Sequence, residues 1–178
     1  FRFKLFGDIT ATTSYASQPI LVFGSSIGEG NYQKALDVVT YDNISFHVSK
    51  LIPQSIPDSV ITFVTWEIED FDTNNNFASG RFTPTVAGKY QFYTVCATQY
   101  IGVTESNINL YIRKNGTTDF VAVGHSGAVN SVSRSVTAII DMNGAGDYVE
   151  VFYYQSSGAS RNLDVAATWF EGFRIGGV

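Results

Sequence analysis

The chain has 178 residues, 44% of them apolar and 15% charged, and its 16 acidic against 11 basic side chains give a formal charge of −5. That length accommodates one domain with a sizeable core plus a smaller appended piece, and the composition excludes a disordered chain. Singly scattered basic residues under a net negative charge exclude nucleic acid as a partner, and the lone Cys96 excludes an internal disulfide or a cysteine-based metal site.

Residues 1 to 43 read as a lead-in or attachment segment, in which Gly-Ser-rich stretches such as "FGSSIGEG" break up the apolar fragments "FRFKLF" and "PILVF". The one helix candidate is the short "NYQKALDVV" at 31 to 39. From residue 44 onward strand signals dominate. They run through "ISFHVSKL" (44 to 51), "VITFVTWEI" (60 to 68), "GRFTPTV", "KYQFYTVCA" (89 to 97) and "INLYIRK" (108 to 114). "FVAVG", "SVSRSVTAIIDM" (131 to 142), "DYVEVFYYQ" (147 to 155) and "TWFEGFRI" (168 to 175) complete the series. Turn chemistry punctuates them at Ala87-Gly88, Asn115-Gly116, "NGAGD" and "SSGAS". Many short strands at such spacing predict an all-β, antiparallel two-sheet sandwich or jelly roll over residues 44–178. No apolar run approaches the ~18 residues that span a bilayer, so no membrane insertion is expected.

In "DYVEVFYY" the period of two puts Val149, Val151 and Tyr153 on one face and Tyr148, Glu150, Phe152 and Tyr154 on the other. With the valine face in the core, Phe152 and Tyr154 lie on an outer surface of the kind that marks a partner. Cys96, inside the apolar-leaning "YTVCAT", is expected to be a buried, inert thiol.

"GRFTPTVAGKYQFYTV" resembles the most recognisable segment of the globular head of complement C1q and its tumour-necrosis-factor-like relatives, in which Phe-Thr-Pro precedes Gly-x-Tyr-x-Phe. "INLYIRKNG", "SVTAIIDMNGAGDYVEV" and "TWFEGFRI" follow in that family's order. Gly88 suits a turn with positive φ, Pro84 an edge or bulge, and Tyr90 and Phe92 one core-facing side of a strand. The resemblance implies a C1q/TNF-type jelly roll that assembles as a homotrimer. "WEIEDFDTNNNF" and "FTPTVAGKY" are most like bacteriophage or bacterial surface versions, which implies a virion-surface or extracellular location.

Enzyme chemistry finds little support. Gly124-His125-Ser126-Gly127-Ala128 approximates a nucleophile elbow, but strand alternation follows it and no histidine lies after His125. His47 alternates with apolar residues in a strand, and no metal-binding histidine pair is present. Among the acidic residues Glu67, Glu69, Asp70 and Asp72, the pair Asp70 and Asp72 is the first candidate for Ca²⁺, which some members of the resembled family bind. No other cofactor is expected.

Two roles fit a non-enzymatic head. The first is a viral, phage-type fibre or virion-surface protein that recognises a host-surface glycan or protein receptor. Its candidate contacts lie in the polar loops "TQYIGVTES" (98 to 106) and "SSGASRNLD" (156 to 164): Tyr100 to stack on a sugar, with Arg161 and Asn162 to hydrogen-bond it. The second is a decoration, cement or fibre-assembly protein, docked to other virion proteins through residues 1–43 and binding no receptor.

Overall fold

The computed structural model describes residues 43–99, 106–126 and 131–176. The helix candidate and the lead-in up to residue 42 lie outside the described residues. The strands are β1 (Ser45–Ser49), β2 (Ser55–Ile56), β3 (Thr62–Phe63), β4 (Ile68–Asp72), β5 (Phe77–Ala78), β6 (Arg81–Phe82) and β7 (Gly88–Gln99). They continue with β8 (Ser106–Lys114), β9 (Thr118–Ser126), β10 (Ser131–Met142), β11 (Val149–Gln155), β12 (Arg161–Asn162) and β13 (Trp169–Gly176). One 3-10 turn spans Val165–Ala167. Two antiparallel sheets, ordered β10-β7-β13-β1-β4 and β5-β6-β11-β8-β9, form the sandwich, and β12-β2 is a small pair beside it. This is the antiparallel jelly roll that the alternation predicts.

The alternating residues converge on one core. Phe46 and Val48 from β1, Tyr90 and Phe92 from β7 and Phe170 from β13 meet Ile108, Leu110 and Ile112 from β8 and Val149, Val151 and Tyr153 from β11. Each large side chain buried in this way contributes about 1.5–3 kcal/mol. Phe46 is the hub, with ring centroids 4.3 Å from Phe82, 4.9 Å from Phe170 and 5.3 Å from Phe77. Gly172 makes room for it: a Cβ there would come within 2.6 Å of the Phe92 ring and 2.8 Å of the Phe46 ring. The Phe-Glu-Gly-Phe stretch of β13 therefore has a packing reason. Gly88 begins β7 at φ 152°, where a Cβ would collide with the Gly176 carbonyl. Pro84 falls just past β6, where no ladder donor is needed.

The run "VITFVTWEI" is not one strand, contrary to its alternation. Only Thr62–Phe63 forms β3, on the edge of β11, and the chain then crosses to the other sheet to begin β4 at Ile68. Val64 N–H still donates to Val151 O at 2.9 Å, whereas Glu67 N–H donates to Ser49 O of the opposite sheet at 3.3 Å. Between them, side chains take over the backbone groups. Gln54 Nε2 donates to Phe63 O at 2.6 Å, Thr65 N–H donates to Gln54 Oε1 at 2.9 Å, and Lys50 Nζ donates to Thr65 O at 2.7 Å. A strand can change sheets once its peptide groups are satisfied in this way.

Candidate functional site

Arg161 and Asn162, expected in a polar binding loop, form β12, paired with β2 in the register Arg161↔Ile56 and Asn162↔Ser55. The surrounding turn is built on Gln155, a fully buried side chain that sequence reasoning passed over. Its amide nitrogen donates to Ile56 O at 3.1 Å and Ala159 O at 2.9 Å, and its oxygen accepts from Ser157 N–H at 2.8 Å. Arg161 Nε donates to Ser157 Oγ at 2.8 Å, which leaves the half-buried guanidinium oriented by this turn, while Asn162 is exposed. Asp58 Oδ1 accepts from Gly158 N–H at 2.7 Å, and Asp164 caps the 3-10 turn through Ala166 N–H at 2.9 Å. The two polar residues are thus presented on a fixed scaffold. Tyr100 lies outside the described residues.

Asp70 and Asp72 engage different partners. Asp70 Oδ2 accepts from His47 Nδ1 at 2.7 Å and from Ser49 Oγ at 3.2 Å, on the outer face of the first sheet. Asp72 accepts from the amides of Phe77 at 2.6 Å and Asn74 at 3.3 Å, shaping the turn from β4 to β5, where Asn75 takes a positive φ of 52°. Among the described residues no group of three or more His, Cys, Asp or Glu side chains is arranged to hold a metal.

The outer surface of β11 is more fully covered than its sequence implies. Glu150 is only 5% exposed and accepts from Arg81 Nε at 2.6 Å. The Arg113 guanidinium lies 4.4 Å over the Phe152 ring and is itself held by both oxygens of Asp119, at 2.6 and 2.9 Å. Phe63 packs edge-on to Phe152 with centroids 5.6 Å apart. On the same sheet β9 leaves Val123 (65%) and Val121 (45%) exposed, and on the other sheet Ile139 stands at 58%, Phe71 at 48%, and Phe173 and Ile175 at 44% each. Register places Ile139 and Phe173 on either side of Gln91, so they belong to one patch.

A cavity of about 360 Å³ opens where the second sheet is split. One edge of β11 is shared by β6, at Val149, and β3, at Phe152 and Tyr153, while β8 occupies the other edge. Phe63, Trp66, Phe77 and Glu69 line the cavity together with the β5–β6 turn at Ser79 and Gly80. Ser79 and Gly80 have φ of 53° and 78°, the left-handed pair that a two-residue hairpin needs. A Cβ at Gly80 would collide with the Phe63 ring, so glycine lets the turn close onto the cavity wall.

The globular domain of a zebrafish complement 1qA protein superposes with a TM-score of 0.58 at 19% identity, over 77% of this chain and all (100%) of that one. The fold is a C1q/TNF-type jelly roll. Murine APRIL matches at a TM-score of 0.56 and 12% identity, over 75% of this chain and 99% of that one. No family model and no curated protein matches the sequence. The jelly roll also accounts for the enzyme-like string: β9 ends at Ser126 and the next described element is strand β10, whereas a nucleophile elbow leads into a helix. Cys96 is buried in this fold, and burial pushes its thiol up to about 12.

Proposed function

We propose that the chain is a non-enzymatic binding head that works as a homotrimer on a virion or other extracellular surface and recognises a glycan on a host surface. The observation that carries the assembly is the apolar patch of Ile139, Phe173, Ile175 and Phe71 on the outer face of the β10-β7-β13-β1-β4 sheet. A patch of that kind is buried when like subunits close around a rotation axis, and three repeats complete a closed ring. Three weak sites on one rigid head then bind a multivalent surface far more tightly than any one of them alone. Arg161 and Asn162, fixed by the Gln155 turn, are the proposed polar contacts, together with Tyr100.

Light scattering across a concentration series, followed by a glycan array, tests both parts. The expected result is a mass of three chains that does not fall on dilution, with array binding that is reduced by Arg161→Ala. A monomer at all concentrations overturns the trimer. A trimer that binds nothing on the array supports the decoration or cement role instead. Running the series with and without chelator tests Ca²⁺ at Asp70 and Asp72, since a trimer that depends on the ion dissociates when it is removed.

A further inference from the structure

We propose that Gln54, Thr65, Glu67 and Lys50 form a self-cross-linking site that joins the Thr65 hydroxyl to the Gln54 side chain as an intramolecular ester, with release of ammonia. The reaction runs once per chain and needs no partner, so it stands apart from the glycan reading. The four residues meet where the chain crosses between the sheets. Thr65 Oγ1 lies 3.2 Å from Gln54 Oε1 and 2.9 Å from Glu67 Oε1. A hydroxyl has one proton, and the shorter contact gives it to Glu67, which turns an oxygen lone pair toward the Gln54 carboxamide. A nucleophile bonded to a base beside a carbonyl carbon is the arrangement that acyl transfer requires.

The surroundings of Gln54 Oε1 suit an oxyanion. Thr65 N–H donates to it at 2.9 Å, and Lys50 Nζ, on a side chain with no exposed surface, lies 3.5 Å away. A backbone donor and a buried cation aimed at one carboxamide oxygen stabilise negative charge there more than they stabilise the neutral carbonyl. Lys50 Nζ also reaches Thr65 Oγ1 at 3.1 Å, which favours the alkoxide. Gln54 Nε2 donates to Phe63 O at 2.6 Å, so the carboxamide is held in place. Thr65 Oγ1 attacks Gln54 Cδ and gives its proton to Glu67 while the carbonyl electron pair moves onto Oε1. As that pair returns, the Cδ–Nε2 bond breaks, Glu67 passes the proton to the departing nitrogen, and ammonia leaves. No oxidant or cofactor enters. Lys50 is the rival nucleophile, but as an ammonium it carries no free electron pair, and it points its protons at Thr65 O, 2.7 Å away, and Glu67, 2.9 Å away. The ester ties residues eleven positions apart and fastens the crossover covalently, which restricts the unfolded chain.

The test is intact-mass spectrometry of the full chain, folded and held for days at neutral pH, with tandem sequencing of its peptides. The expected result is a population lighter by one ammonia, with the link mapped to Gln54 and Thr65 and opened by hydroxylamine, as an ester is and an amide is not. Chains held unfolded in urea keep their full mass. Thr65→Val abolishes the link, Thr65→Ser retains it, and Glu67→Gln slows it about a hundredfold or more. Thr65 is exposed, so the valine variant keeps the fold, which circular dichroism checks. A folded chain that stays at full mass overturns the proposal. So does an ammonia loss that persists in Thr65→Val, as a succinimide at Asn115 or Asn143 would, and so does a hydroxylamine-resistant link between Gln54 and Lys50.

Discussion

The Lys50 ammonium, with no exposed side-chain surface, lies 2.9 Å from the Glu67 carboxylate, whose side chain is 25% exposed. The pair fastens the segment that crosses between the sheets, because Lys50 also donates to Thr65 O and Thr65 Oγ1. Lys50→Met is expected to destabilise the domain by about 3 kcal/mol, since it strips the charge partner from Glu67 and two bonds from Thr65. Urea unfolding measures this, and the double variant Lys50→Met/Glu67→Gln should cost less than the two single changes summed.

Burial opposes ionisation of Glu67, but its bonds to Lys50, the Leu51 amide and Thr65 outweigh that and hold its carboxyl below the ordinary range. A carboxyl with a lower value folded than unfolded stabilises the fold above its unfolded value, roughly 4.3, and loses that contribution as pH falls through the folded value. The stability gap between wild type and Glu67→Gln should therefore be full near neutrality and close in acid. A gap that is constant with pH would show that the charge on Glu67 contributes nothing.

Gly172→Ala is expected to cost about 1–3 kcal/mol, because its methyl group would push into the Phe46 and Phe92 rings. Circular dichroism against urea reads it out. The second variant Phe92→Leu, made in the Gly172→Ala background, should recover part of the loss by giving the methyl group space.

Cys96 in the folded protein should resist thiol reagents at neutral pH, because a buried thiol near 12 offers almost no thiolate. Reaction with a chromogenic disulfide should begin only in denaturant, with the unfolding midpoint. Fast labelling of the native protein would contradict its place in the core.

Ile139→Lys should convert a trimer to monomers with unchanged circular dichroism, since Ile139 is 58% exposed and its removal leaves the core intact. Loss of the fold along with the trimer would assign Ile139 a packing role within the subunit.

The long strands were legible because period-two alternation over seven to twelve residues has no other reading: β7, β8, β10, β11 and β13 fall where their sequences place them. The two-residue strands β3 and β12 were not, because two residues carry no period and their placement beside β11 and β2 depends on side chains such as Gln54 and Gln155 that tie the adjoining backbone, and a glutamine carries no strand signal of its own. The outer face of β11 was read correctly for direction, with Val149, Val151 and Tyr153 inward, but not for cover. Arg81 reaches Glu150 from 69 residues away and Arg113 reaches Phe152 from the neighbouring strand β8, and no local pattern announces that. The cavity escaped notice for the same reason. Trp66 and Glu69 read as parts of a strand and a solvated acidic run until the β5–β6 turn folds over them.

The two flanks of the sandwich end very differently. On one, the sheets finish in β9 and β10, of nine and twelve residues; on the other, they finish in β4 and β5, of five and two. An open strand edge templates the addition of another extended chain, and the hazard grows with its length. Misassembly or deliberate strand donation by another polypeptide therefore has one productive side, along β9 and β10, where β10 turns Ser131, Ser133, Ser135 and Thr137 outward and β9 adds the exposed Val121 and Val123. Lysine placed at Ser133 or Ser135 would guard that side against fibril growth without touching the core.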